Sequence, residues 1–335
     1  MKLVINKLYK RLTFPVLLMG CLVSFQVNLV AQDSTAIVKD SSETNITEEV
    51  SVTPGKKVKP VKNTFKSIWI IDNQTVMVPA KGTFEMDIMH RFGTVQKGYE
   101  DFWGFFAPSN IRLGVTYAPI NKLNLGVGIT KSAMLWDASA KYSIITQTKG
   151  KFPVSISYYG NVGYSSIKDP DGTIFKYTTN RLSYFNQLII ARKVTDKISL
   201  QVAPNVSHQN AVNGYYIKND STGKATFKNM EFDHFAISFS GRYQLTQVTS
   251  LMVNYDQPIT KHATNNPNPN FAVGLEFNSS GHSFQLFMGT YSALSPQRDN
   301  LYNTNNPFAY TKSDETKVKG GAFLIGFNIT RLWSW

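Results

Sequence analysis

The sequence contains one cysteine, Cys21, so no disulfide can close within the chain. Past residue 31 there is no apolar run of about 18 residues, which excludes a bundle of membrane-crossing helices. There is no CxxCH haem motif, no Cys/His spacing suited to zinc, and no glycine-rich phosphate loop set between a strand and a helix. No cofactor and no metal site is predicted. Charge is scarce too: 17% of the 335 residues are charged, while aromatics reach 13%. A disordered chain would show the opposite balance.

The N-terminus reads as an address. Lys2, Lys7, Lys10 and Arg11 precede an apolar stretch from Phe14 to Val30 that ends in Leu29-Val30-Ala31. This is the layout of a secretory signal peptide over 1–31. Leu18-Met19-Gly20-Cys21 resembles a lipobox, but the apolar run before Cys21 is very short and continues past it. Those basic residues supply part of the net charge of +13, so the charge predicts no nucleic-acid partner. Residues 32–66 are rich in Ser, Thr, Lys and Glu without apolar periodicity, and read as a disordered linker. Their bases follow their acids, which leaves open a basic tether for an acidic partner or a membrane surface.

From Gly82 onward the dominant period is two. Apolar residues alternate through Phe84–Phe92, Ile111–Tyr117, Leu123–Ile129, Ala138–Ile144, Val154–Tyr164, Ile198–Val206 and Phe235–Tyr243. They do so again through Leu251–Tyr255, Phe271–Phe277, Phe284–Met288 and Phe323–Trp335. Residues 181–194 are apolar with no clear phase, and complete a set of twelve strands. The opposite phase is rich in Gly, Ser, Asn and Thr, such as Asn124, Gly126, Gly128 and Thr130. Small neutral side chains suit a crowded barrel interior, and they carry too little charge for a solvated face. The apolar phase is therefore expected to face lipid. Links near 119–121, 147–152, 194–197, 245–248 and 278–281 are short and alternate with longer ones near 93–109, 166–179, 211–231, 258–269 and 292–318; only 131–135 is shorter than this pattern expects. That is the pattern of outer-membrane barrels, with brief turns on the periplasmic side and long loops outside. The fold class is thus all-β: one transmembrane antiparallel barrel of about twelve strands over 67–335, after a signal peptide and a linker.

His90-Arg91-Phe92-Gly93 and residues 110–132, 183–194 and 200–210 resemble a barrel family of Bacteroidota outer membranes, domain of unknown function 5777. The resemblance spans roughly 68–335. It implies a barrel in a Gram-negative outer membrane and brings no catalytic residues with it.

Eight charged residues fall on the predicted interior phase: Glu85, Asp87, Arg91, Arg112, Lys141, Arg242, Asp256 and Glu276. Facing charges across a lumen filter solutes or, as a salt-bridged filling, block them. In the first long loop, Phe102, Trp103, Phe105 and Phe106 form an aromatic cluster, expected to fold into the barrel mouth or to meet a partner. His208 and Asn210 share a strand face without a hydroxyl nucleophile between them, so a hydrolase is the weakest reading and no enzyme is predicted. Asp169-Pro170-Asp171-Gly172 reads as a turn. The expected function is porin-like passage of small solutes; the alternative is a non-conducting barrel that binds an unknown envelope component. Predicted partners are outer-membrane lipid and, through the last strand ending in Trp335, the barrel-insertion machinery.

Overall fold

The computed structural model describes residues 59–218, 225–262, 266–311 and 317–334. The signal peptide, linker residues 32–58 and Trp335 lie outside the described residues. Twelve strands form the wall: β1 (Thr83–Thr94), β2 (Asn110–Ile120), β3 (Leu123–Thr130), β4 (Leu135–Ile145), β5 (Ser155–Ser165) and β6 (Leu182–Lys193). They continue as β7 (Ile198–Gln209), β8 (Asp233–Gln244), β9 (Thr249–Pro258), β10 (Asn270–Asn278), β11 (His282–Gly289) and β12 (Leu324–Ser334). Every neighbour is antiparallel, and β12 pairs with β1 to close the ring, for example Trp333 with Phe84 and Phe327 with His90. Closure leaves no free strand edge in the wall.

The alternation read in the sequence is the alternation of the wall. Val127 is 62% and Trp136 60% exposed on the outside, whereas Asn124, Thr130, Asp137 and Ser157 point inward and are buried. Phe323, Ile325 and Phe327 point outward, on the phase opposite to buried Leu324 and Asn328. Among the described residues no helix is long and apolar enough to cross a membrane. Strand β6 resolves its ambiguous phase with Ser183, Phe185, Gln187, Ile189 and Ala191 inward. Phe185, Ile189 and Ala191 make this inner face partly apolar because it touches other protein there and not water.

Gly128 on the inner phase of β3 is required by close approach. A Cβ there would collide with the guanidinium of Arg112 on β2. Omitting it gives a bulky charged side chain room to lie flat across the wall.

The first long loop corrects one expectation. Phe102, Trp103, Phe105 and Phe106 do not enter the mouth; they are all exposed, Phe106 by 82%. The cause is local. The Gly93 N–H donates to the Gly104 carbonyl at 3.0 Å, and Gly104 sits at φ 86° against the Gly93 backbone, where a side chain has no space. That contact turns the loop outward, and Phe105 packs on outward-facing Phe92 with ring centroids 4.6 Å apart.

Candidate functional site

The lumen is filled, and by a part of the chain that the sequence pattern did not single out. The segment before β1 enters at the short-turn end, where the Val61 N–H donates to the Gln147 carbonyl at 2.7 Å. It leaves at the same end, where the Gly82 N–H reaches the Ala118 carbonyl at 2.8 Å. Between these points residues 64–76 are buried except Lys66. Thr64 and Phe65, which the composition groups with the linker, are already inside. The segment forms a tight hairpin, Trp69–Ile70 against Asn73–Gln74, with Ile71 at φ 57° in the turn. A β-branched residue in that region is strained by about 1–3 kcal/mol and persists only where its surroundings hold it.

Two kinds of contact hold it. Phe65, Ile70, Ile71 and Val76 pack with Tyr159, Phe185, Ile189, Ala191, Ala203, Met252 and Phe287 of the wall. Each such side chain contributes about 1.5–3 kcal/mol relative to exposure in water. The wall also bonds to the hairpin's backbone. Gln285 accepts from the Ile71 N–H at 3.1 Å and donates to the Trp69 carbonyl at 2.9 Å. Gln201 accepts from the Val76 N–H at 3.1 Å and donates to the Gln74 carbonyl at 2.8 Å. Asn328 donates to the Ile71 carbonyl at 2.7 Å, and Ser157 to that of Val76 at 2.9 Å.

All eight predicted interior charges are buried inside the ring. The hairpin engages three of them directly. Arg91 pairs with Asp72 at 2.9 Å, Asp256 accepts from the Asn73 amide at 2.8 Å, and Lys141 donates to the Gln74 side chain at 2.8 Å and the Thr75 carbonyl at 3.1 Å. Of the others, Asp87, Arg112, Arg242 and Glu276 find their ionic partners within the wall, with the Trp69 ring of the hairpin lying over Arg112. Arg112 bridges Asp87 and, at 2.8 Å, Asp137, and Arg242 meets Glu276 at 2.8 Å. Glu85 is buried on the same face of β1 as Asp87. Asp137 was not singled out from the sequence, although it lies on the interior phase of β4.

From the long-loop end residues 290–303 dip inward and carry α1 (Pro296–Tyr302). The Gln209 amide donates to the Gln297 carbonyl at 3.0 Å and that of Asn270 to the Asp299 carbonyl at 2.9 Å, while the Gln297 side chain bonds to Asn161. Leu294 of this loop packs with Ile68, Trp69 and Met89, and Tyr291 joins the larger hairpin cluster. Hairpin and loop thus meet inside the barrel, and the lumen is closed from both ends.

Two further polar groups singled out by the sequence are held by local hydrogen bonds. His208 faces outward between Asp233 at 2.8 Å and Asn210 at 3.0 Å, with no serine or threonine bonded to it. Asp169 accepts N–H groups from Phe175, Ile174 and Thr173, which hold its carboxyl below the usual value and fix the turn.

At the long-loop end His234 and His262 lie in line, Nδ1 to Nε2 at 3.0 Å with ring planes 5° apart, which is the geometry of one shared N–H···N bond. Burial pushes His262 below the ordinary 6.5, with nearby Glu231 opposing. A histidine depressed in this way stabilises the fold fully above its ordinary value, and the contribution is lost as pH falls through the folded value. Acidification from about pH 7.5 to about 5 is therefore expected to lower amide protection at Ile259 and His262, taken as the ratio of intrinsic to observed exchange rate at each pH. Hydrogen-exchange mass spectrometry checks this, and His262→Gln should abolish the pH step.

A closed ring of strands, apolar outside and polar within, defines a membrane-type β-barrel. The chain belongs to the family described as a membrane-bound beta barrel domain, domain of unknown function 5777, which matches residues 65–333. The match begins at Phe65, so it takes in the lumen hairpin with the wall. No functionally curated protein matches the sequence significantly. Among solved structures, an outer-membrane channel from Pseudomonas putida F1 is 11% identical, covering 77% of this chain and 97% of that chain, with a TM-score of 0.42. The NanC porin is 10% identical over 75% of this chain and 99% of that chain, with a TM-score of 0.40. The KdgM porin gives the same identity and coverages with a TM-score of 0.39. Likenesses this distant carry no inference about what the present barrel moves.

Proposed function

We propose that this protein is a porin-like channel of a Gram-negative outer membrane, closed in the described state by its own 64–76 hairpin. The observation that supports this reading is the charged wall. Burying ion pairs gains little over apolar packing, and a permanently sealed core of this size is better filled by aliphatic side chains. A wall carrying Asp87, Arg91, Arg112, Asp137, Lys141, Arg242, Asp256 and Glu276 suits a lumen that holds water in another state. The short-turn end, where the hairpin enters, is then periplasmic. Purified protein in planar bilayers tests this. The full chain is expected to conduct rarely, and a variant lacking residues 64–76, with the inward α1 segment 293–301 also replaced by a short Gly-Ser link, to conduct in steady steps. A folded variant that passes no current would sink the channel reading. The exposed Phe102–Phe106 cluster favours a second reading, a non-conducting barrel that meets an envelope component through this loop. Hydrolysis is not part of the proposal, because the outward His208 has no hydroxyl nucleophile bonded to it.

A further inference from the structure

The way the wall grips the hairpin carries information about what else the lumen can hold. Gln285 and Gln201 lie on different strands, β11 and β7, yet each makes the same two-pronged contact. Gln285 takes the carbonyl of Trp69 and the N–H of Ile71; Gln201 takes the carbonyl of Gln74 and the N–H of Val76. Each glutamine therefore reads one main-chain carbonyl together with the main-chain N–H two residues on, and the motif repeats five residues further along the bound segment. Asn328, Asn254, Ser157 and Lys141 bond to the carbonyls of Ile71, Ile70, Val76 and Thr75. These contacts do not depend on side-chain identity. Apolar surface for side chains lies alongside, formed by Phe185, Ile189 and Phe287 among others.

We infer that the vacated lumen is a binding site for oligopeptides folded back as a hairpin, recognised by their main-chain amides, and that the 64–76 hairpin occupies it as an internal competitor. This rests on the channel reading and deepens it by assigning a class of solute. The chemistry is that of a β-ladder supplied by side chains. A carboxamide presents a donor and an acceptor in one plane, as a peptide group does, so it meets a main-chain carbonyl and N–H at once. An oligosaccharide without acetamido groups lacks the fixed carbonyl and N–H spacing that both glutamines read.

The test uses the same variant, lacking 64–76 and with 293–301 replaced, in planar bilayers, with its fold checked by heat-modifiable gel mobility. If that variant fails to fold, the full chain carrying Asp72→Ala and Trp69→Ala, which loosens the hairpin, replaces it. Three probes are added: a synthetic peptide of sequence 64–76, an unrelated hairpin-forming peptide of the same length, and an oligosaccharide of similar mass without acetamido groups. Both peptides are expected to interrupt the current at concentrations about tenfold or more below that of the oligosaccharide. Gln201→Leu and Gln285→Leu, introduced together, are expected to raise the peptides' half-blocking concentration about tenfold. Equal block by the oligosaccharide overturns the inference while the channel reading stands. Block by the 64–76 peptide alone also overturns it, because recognition would then run through side chains. A folded variant that passes no current removes the channel reading and the inference with it.

Discussion

Asp72→Ala is expected to raise the open probability of the barrel about a hundredfold in single-channel recordings. Arg91 is 1% exposed, and its Nη2 and Nε reach Asp72 at 2.9 and 3.3 Å. Removing one partner of a buried ion pair costs about 3–5 kcal/mol, because the other charge stays behind without its counter-ion. Arg91 would retain the Asn328 side chain at 2.9 Å, the His90 carbonyl at 2.9 Å and the Phe287 ring 4.5 Å away, so the lower end of that range applies. About 3 kcal/mol is a shift of roughly two powers of ten in the closed-to-open equilibrium. The hairpin bears the loss because it is the element that can leave. Arg91→Met added to Asp72→Ala should recover much of the closed population, since no buried charge is then stranded. An open probability unchanged by Asp72→Ala would show that this pair does not hold the hairpin.

Arg112→Met acts on the wall itself and is expected to lower the midpoint of heat-induced unfolding by roughly 10 °C, read from gel mobility. The guanidinium bridges Asp87 on β1 and, across the intervening β3, Asp137 on β4, with Trp69 of the hairpin 5.5 Å over it. Taking it away leaves two buried carboxylates facing each other across the place it filled. Asp87→Asn with Asp137→Asn in the same chain should restore most of the loss, which a simple packing defect would not do. This replaces what the sequence alone suggested for Arg112. An exposed lumen arginine changed to glutamate would tune ion selectivity; one already held between two carboxylates would, as glutamate, disrupt the wall.

The wall was legible because lipid on one side and protein on the other impose opposite demands on alternate residues; eleven strands were found from that contrast, and β6 from its apolar run alone. The interior charges were legible for the same reason, apart from Asp137. The hairpin was not. Ser67-Ile68-Trp69-Ile70-Ile71 has no alternation, since it is enclosed on all sides, and it follows a lysine-rich stretch that masks it. Its imprint was nevertheless present on the wall. Met89, Phe185, Ile189, Met252 and Phe287 are apolar residues on the inner phase, where a water-filled lumen offers them nothing. The doubtful phase of β6 was part of that signal. The outward turn of the aromatic loop depended on the contact between Gly93 and Gly104, which no local pattern announces.

The order in which the chain is made bears on how the centre of the barrel is completed. The Ile71 N–H must wait for Gln285, 214 residues later, and the Ile71 carbonyl for Asn328, 257 residues later. Contacts of such wide separation close slowly. The earliest of the described segments to be synthesised is therefore among the last to find its seat, once β11 and β12 have joined the ring.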